Sequence, residues 1–147
     1  MPETTDVLTP QTVELGASFG SRDEAIRRAG ELLVENGHVD ERYIDSMFER
    51  EKSVSTYMGN AVAIPHGTED AKKWVDRSGL SVITVPDGVE YGDGEVAKLV
   101  VGIAGKGDEH LEILSKVAVA VSEEENVERL VNAQTKEELL AIFDEAT

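Results

Sequence analysis

The 147-residue chain contains no cysteine. That excludes a disulfide framework, a thiolate metal site and a thiol nucleophile, and it fits a reducing compartment. No apolar run approaches the roughly 20 residues that span a bilayer, so direct membrane insertion is not expected. The opening residues Met1, Pro2, Glu3, Thr4, Thr5 and Asp6 are polar and acidic. With no basic stretch leading into an apolar one, no secretory signal is read and a cytoplasmic protein is expected. Cations are scarce: 14 Lys and Arg face 30 Asp and Glu, a formal charge of −16. Such a chain repels nucleic-acid phosphates and anionic lipid unless its cations are focused, so neither is expected as a partner. Repeats, low-complexity tracts and Gly/Ser/Pro linkers are missing as well. With 40% apolar residues, this favours one folded domain over disorder.

What is present begins with a helix signal. Ser21 and Glu24 form a capping box, in which each satisfies a free N–H of the first turn. Ala25, Ile26, Ala29, Leu32 and Leu33 follow at helical spacing, and Gly37 closes the stretch. The spacing predicts a helix over about 22–36. Asp40 can cap a second over about 41–52, with Tyr43, Ile44, Met47 and Phe48 on one face. The middle of the chain then turns β-branched and short-ranged. Val54–Tyr57, Ala61–Ile64, Leu80–Val85 and Val96–Ala104 read as strands bounded by Gly59–Asn60, Pro65, Pro86–Asp87–Gly88, Gly92–Asp93–Gly94 and Gly105. Leu99–Ala104 is apolar almost throughout, as a strand covered on both faces must be. Helical spacing returns after Asp108, and Ser122/Glu125 and Thr135/Glu138 read as two further capping boxes. Helices, then strands, then helices predict one α/β domain whose sheet is covered by helices.

The three histidines are the informative residues. His66 follows a strand that ends in Ile64–Pro65 and precedes Gly67. Proline keeps Ile64 extended, and a glycine beside the imidazole lets another group approach closely. The imidazole therefore sits at the mouth of the sheet. A structural histidine at a strand–turn junction would read the same way. His110 lies in the first turn of the helix after the long strand, at the carboxyl end of a sheet where open α/β folds bind ligands. The helix N-terminus favours its neutral form; a surface histidine near a cap is the alternative. His38, in the link between the first two helices, reads as a surface residue. Arg50 can offer paired hydrogen bonds to a phosphoryl group or carboxylate, or pair with neighbouring glutamates. No nucleophile elbow, phosphate-binding loop, dinucleotide fingerprint or two-histidine zinc spacing is present. A histidine–metal hydrolase and an inert scaffold stay open as alternatives.

These segments resemble a known family. Ala25–Leu33, Tyr43–Glu51 and Ser55–Thr68, with its Ala63–Ile64–Pro65–His66–Gly67 core, look like the enzyme IIA domain of the bacterial sugar phosphotransferase system. The mannitol-type branch is the most similar, through Ser55–Thr56–Tyr57–Met58–Gly59, His66–Gly67–Thr68 and Glu49–Arg50–Glu51. Val89–Gly92, Leu99–Ala104 and Glu109–Leu114 follow in the expected order, and the resemblance runs from about Leu15 to Phe143. It implies a single α/β domain over 1–147, with a mixed β-sheet flanked by helices on both sides. It implies that His66 accepts a phosphoryl group from the histidine phosphocarrier protein on its ε (tele) nitrogen. The group then passes to a cysteine of the enzyme IIB domain, part of a sugar permease whose membrane IIC domain binds the sugar. His110 and Arg50 would steady the phosphoryl group. No cofactor, metal or direct sugar binding is implied. A nitrogen-regulatory or fructose-type relative is the alternative within the family. The Gly105–Lys106–Gly107–Asp108 turn is richer in glycine than the family pattern.

Further expectations attach to this reading. A backbone carbonyl should hold the δ nitrogen of His66. Val62, Ile64 and Met58 should form an apolar rim against water and for transient docking. Pro2 after the initiator, and Ala146–Thr147 after a finished helix, favour a stand-alone protein. The acidity is uneven: acids exceed bases by 6 over residues 1–53, by 2 over 54–107 and by 8 over 108–147. The segment holding His66 is nearly neutral, so the net charge does not oppose a site for phosphoryl anions.

Overall fold

Five short-to-long strands form one sheet in the computed structural model, which describes residues 7–146. Met1–Asp6 and Thr147, on which the expectations of no signal and of a stand-alone chain rest, lie outside the described residues. The strands are β1 Val13–Glu14, β2 Tyr57–Gly59, β3 Val62–Ala63, β4 Gly79–Gly92 and β5 Glu95–Ala104, in the order β1-β4-β5-β3-β2. β1 runs parallel to β4 and β3 parallel to β5; the β4–β5 and β2–β3 pairs are antiparallel. The helices are α1 Arg22–Glu35, α2 Arg42–Ser53, α3 Glu109–Ser122, α4 Glu124–Val131 and α5 Lys136–Ala146. The expected mixed sheet with helices on both faces is what forms.

The two-residue period of β5 divides the core. Leu99, Val101 and Ile103 point to one face and pack with Ile113, Val117, Leu130, Leu139 and Phe143 of α3, α4 and α5. Val100 and Ala104 point to the other, where α1 and α2 bring Ile26, Leu33 and Met47. Each such fully buried side chain contributes about 1.5–3 kcal/mol. At Gly102 the sheet meets α1 closely: a Cβ there would lie 2.4 Å from Ser81 Oγ, which donates to the Ala29 carbonyl at 2.9 Å.

Local signals held where the partner was local. Ser21 Oγ accepts the Glu24 N–H at 3.3 Å and Thr135 Oγ1 the Glu138 N–H at 3.0 Å. Asp40 Oδ1 accepts the Arg42 N–H at 2.9 Å, and α2 starts one residue later than expected. Other elements differ. Ser122 forms no capping box: its hydroxyl donates back to Val119 O at 2.8 Å, and α4 follows α3 with only Glu123 between. Asp108 is helical in conformation and makes no side-chain cap. Pro86–Asp87–Gly88 does not end β4. The strand continues through it with a register shift between Thr84 and Val89, because a bulge absorbs the proline that cannot donate. The true reversal is at Asp93–Gly94, both at positive φ (53° and 81°), the geometry that matches strand twist in a tight hairpin. Val54–Thr56 are not strand, and β1 is too short to carry a strand pattern in the sequence.

His38 is the clearest departure. Expected at the surface, it is 1% exposed. Its carbonyl accepts the Asp76 and Arg77 N–H groups at 2.8 and 3.2 Å, which folds the α1–α2 link over the start of β4. Room for the ring exists because Gly79 lacks a Cβ, which would lie 2.3 Å from His38 Nδ1. Burial lowers its pKa below the ordinary 6.5, as it does for His66 and His110. The unfolded chain therefore takes up protons that the folded chain refuses once pH falls below about 6.5. Stability is full above that pH and declines as pH drops toward the lower folded-state values. Urea midpoints at pH 7.5 and 5.5 should show the decline, with a smaller one in His38→Gln. Equal pH sensitivity of the two chains would rule His38 out as a contributor.

Candidate functional site

β3 delivers His66. Beyond Ala63 the chain stays beside β5: Ile103 N–H donates to Pro65 O at 3.0 Å, and His66 bridges to Ile103 in parallel register. The imidazole thus stands at the carboxyl end of two parallel strands. Tyr43 of α2 locks this corner. Its buried hydroxyl donates to Ile103 O and accepts the Gly67 N–H, both at 2.9 Å. Burial pushes that hydroxyl up to about 12, so it stays protonated. Gly67 has no side chain for a steric reason: a Cβ would lie 2.6 Å from both Tyr43 Cε1 and Ser46 Oγ.

His66 is 9% exposed, and its Nδ1 lies 2.8 Å from Ile64 O. A carbonyl only accepts, so in the neutral ring Nδ1 carries the proton and Nε2 keeps its lone pair. The expected carbonyl partner of the δ nitrogen is present. His110, second residue of α3, sets its ring centroid 5.5 Å from that of His66, with the planes 54° apart. Gly105 makes this approach possible, since a Cβ there would fall 2.2 Å from His110 Cα. Ser78 anchors the glycine-rich turn, accepting the Lys106 N–H at 2.9 Å and donating to Glu109 Oε1 at 2.5 Å.

His66, His110 and Arg50, widely separated in sequence, line one cavity of about 380 Å³ with Tyr43, Gly67 and Lys72. Arg50 Nη1 donates to Val54 O at 2.7 Å, at the end of its own helix. The electrostatics favour neutral imidazoles. Burial lowers the His66 pKa most; the Ile64 carbonyl opposes it, Arg50 adds to the lowering and Glu51 offsets a little. For His110 burial again leads, with His66 and Lys72 adding and Glu69 opposing. The cavity is lined by two imidazoles, Arg50 and the Lys72–Glu69 ion pair. The pair cancels, Arg50 leaves one net positive charge, and such a lining suits a small anion better than a cation.

The family model for the phosphoenolpyruvate-dependent sugar phosphotransferase system, EIIA 2, matches residues 6–146. The chain belongs to that family. It is a phosphotransferase-system enzyme IIA component. The mannitol-specific phosphotransferase enzyme IIA component of Geobacillus stearothermophilus is 57% identical over 139 residues, 95% of this chain and 96% of the relative. The solved complex of enzyme IIAMTL and phosphorylated enzyme IIBMTL from Escherichia coli matches at a TM-score of 0.88 and 34% identity, over 95% of this chain and 99% of that one. The nitrogen regulatory protein IIA-Ntr of Neisseria meningitidis matches at 0.81 and 29%, over 94% and 97%.

Two features of this enzyme IIA site escape sequence reading. The sequence shows Tyr43 only as one of an apolar helix face; its hydroxyl bonds span 24 and 60 residues. Lys72 lies on a 3-10 turn, Glu69–Trp74, and pairs with Glu69 at 3.0 Å. Its His66-x₅-Lys72 spacing fits no regular helix or strand face that would flag it. The expected rim is corrected. Val62 (0% exposed) and Ile64 (7%) belong to the core, because β3 is covered on both sides. Met58 is exposed, and so are Val54 and Leu111, the latter next to His110 in sequence. Among the described residues, no helix is long and apolar enough to cross a membrane.

Proposed function

We propose that His66 is the phosphoryl acceptor of a mannitol-type enzyme IIA domain spanning residues 1–147, working in the cytoplasm. The observation that carries this is the His66 ring: Nδ1 is bound to Ile64 O and the ring lines the cavity. Nε2 is left as the available nucleophile. It attacks phosphorus on the phosphohistidine of the phosphocarrier protein. The carrier's N–P bond breaks as the His66 Nε2–P bond forms, and the carrier imidazole leaves with the electron pair. In the second half a thiolate of the enzyme IIB cysteine attacks the same phosphorus, and Nε2 leaves. The transition state is loose and highly charged, so positioning and charge stabilisation dominate. Arg50 and the His110 ring, which line the same cavity, would supply them. The 57% identity to a mannitol-specific component, against 29% to the nitrogen-regulatory protein, supports the sugar-transport reading.

Incubation with the phosphocarrier protein, its phosphodonor kinase and phosphoenolpyruvate, followed by mass mapping, tests the assignment. One phosphoryl group on His66 is expected; label on another residue, or none, refutes it. Membranes carrying a mannitol permease with its IIB and IIC domains should then phosphorylate mannitol when supplied with this chain. His110→Ala should fold and still accept label, but about 10²-fold more slowly, the usual cost of removing one group that stabilises developing charge. A wild-type rate would make His110 a bystander.

A further inference from the structure

Glu51 is buried, 6% exposed, and plays no part in the transfer steps above. A buried carboxylate is costly unless it is well hydrogen-bonded, and this one has three neutral donors. The Thr56 N–H donates to Oε2 at 2.6 Å and the Thr56 hydroxyl to Oε1 at 2.6 Å. The Tyr91 hydroxyl donates to Oε1 at 3.2 Å and is kept protonated chiefly by its own burial. Glu51 therefore closes the turn that joins α2 to β2.

Two routes lead from that turn to the cavity. The first is through Val54, whose carbonyl accepts Arg50 Nη1 at 2.7 Å. The second is through Thr56, whose carbonyl accepts the Ile64 N–H at 3.0 Å; the Ile64 carbonyl in turn meets His66 Nδ1 at 2.8 Å. We propose that Glu51 is a positioning residue for phosphoryl transfer: by pinning Val54–Thr56 it fixes both the Arg50 guanidinium and the acceptor ring of His66. The proposal rests on His66 being the acceptor.

Positioning and bulk structure make different predictions. Glu51→Met keeps the volume and removes both acceptor oxygens, leaving the Thr56 N–H unpaired. Glu51→Gln can turn its oxygen to that N–H and its amide to the two hydroxyls, which can accept as well as donate. In the phosphocarrier assay, E51M should stay folded and lose about 10- to 100-fold in kcat with KM little changed, the scale of a misplacement of about 1 Å. E51Q should recover most of that loss. Nitrogen NMR of His66 should report one Nδ1–H tautomer in wild type and E51Q, and a mixture in E51M. Wild-type kcat in E51M overturns the proposal. E51Q as slow as E51M also overturns it, since the charge and not the hydrogen bonding would then matter. Should E51M fail to fold, Thr56→Val keeps the backbone bond and loses the hydroxyl. A loss of about threefold or more in kcat is then expected, and an unchanged kcat overturns. Wild type in the same series separates the two ideas. No label on His66 refutes the acceptor assignment and this proposal with it. Labelled His66 with equal rates in all chains refutes only the role of Glu51.

Discussion

His66→Ala is expected to take no phosphoryl group from the phosphocarrier protein. The substitution removes the only atom on which the N–P bond is proposed to form, so the loss should reach roughly 10⁴-fold or more, as deletion of a nucleophile does in other covalent routes. The fold should survive. The ring is buried and has one hydrogen bond to Ile64 O, and losing both costs about 1–3 kcal/mol against a typical stability of 5–15. Far-UV circular dichroism and a cooperative melt should therefore resemble wild type while the label is absent. A folded variant that labels at the wild-type rate would sink the assignment. Label moving to His110 would sink it as well, since His110 is assigned to stabilise the group and not to carry it.

Gly105→Ala is expected to be nearly as damaging without touching either imidazole. An added Cβ would meet His110 Cα at 2.2 Å, Cβ at 2.5 Å and N at 2.7 Å. None of these is a flexible side-chain end, so the start of α3 must shift. Overpacking of this kind costs about 1–3 kcal/mol, a fall of roughly 3–10 °C in Tm for a domain of this size. The larger effect is on transfer. The 5.5 Å approach of the two rings depends on that backbone contact, and a displacement of about 1 Å should slow transfer about 10²-fold. Gly107 provides the comparison. It has φ of 59° and nothing within 4 Å of a built Cβ, so Gly107→Ala should cost only the strain of a left-handed alanine, about 1 kcal/mol. Transfer rates that fall equally in both variants would show that loop strain is responsible, not the His110 contact.

What was legible in the chain follows the range of the interaction. The capping boxes of Ser21 and Thr135 act over three residues and formed. The apolar run Leu99–Ala104 needs cover on both faces wherever it lies, and it became the strand shared by both halves of the core. The Ile64–Pro65–His66–Gly67 junction carried its own geometry, including the carbonyl that holds Nδ1. The Ser122 box failed because α3 runs through Ser122 itself, leaving one residue before α4. Pro86 looks like a stop in sequence because a bulge depends on the neighbouring strand, which a local window does not contain.

The sequence by itself determined the capped starts of α1 and α5, the buried central strand, the α/β class and the histidine proposed as the acceptor. Each depends on residues close in the chain or on a composition that any fold must bury. Only the tertiary structure decided that His38 is inside, that Val62 and Ile64 are core and not rim, that Tyr43 and Lys72 line the cavity, and that Glu51 is buried against Thr56 and Tyr91. Those outcomes rest on pairings such as His38 with Gly79, Tyr43 with Ile103 and Glu51 with Tyr91. They lie about 40 to 60 residues apart, and a side chain's surroundings at that range are set by how the helices dock on the sheet.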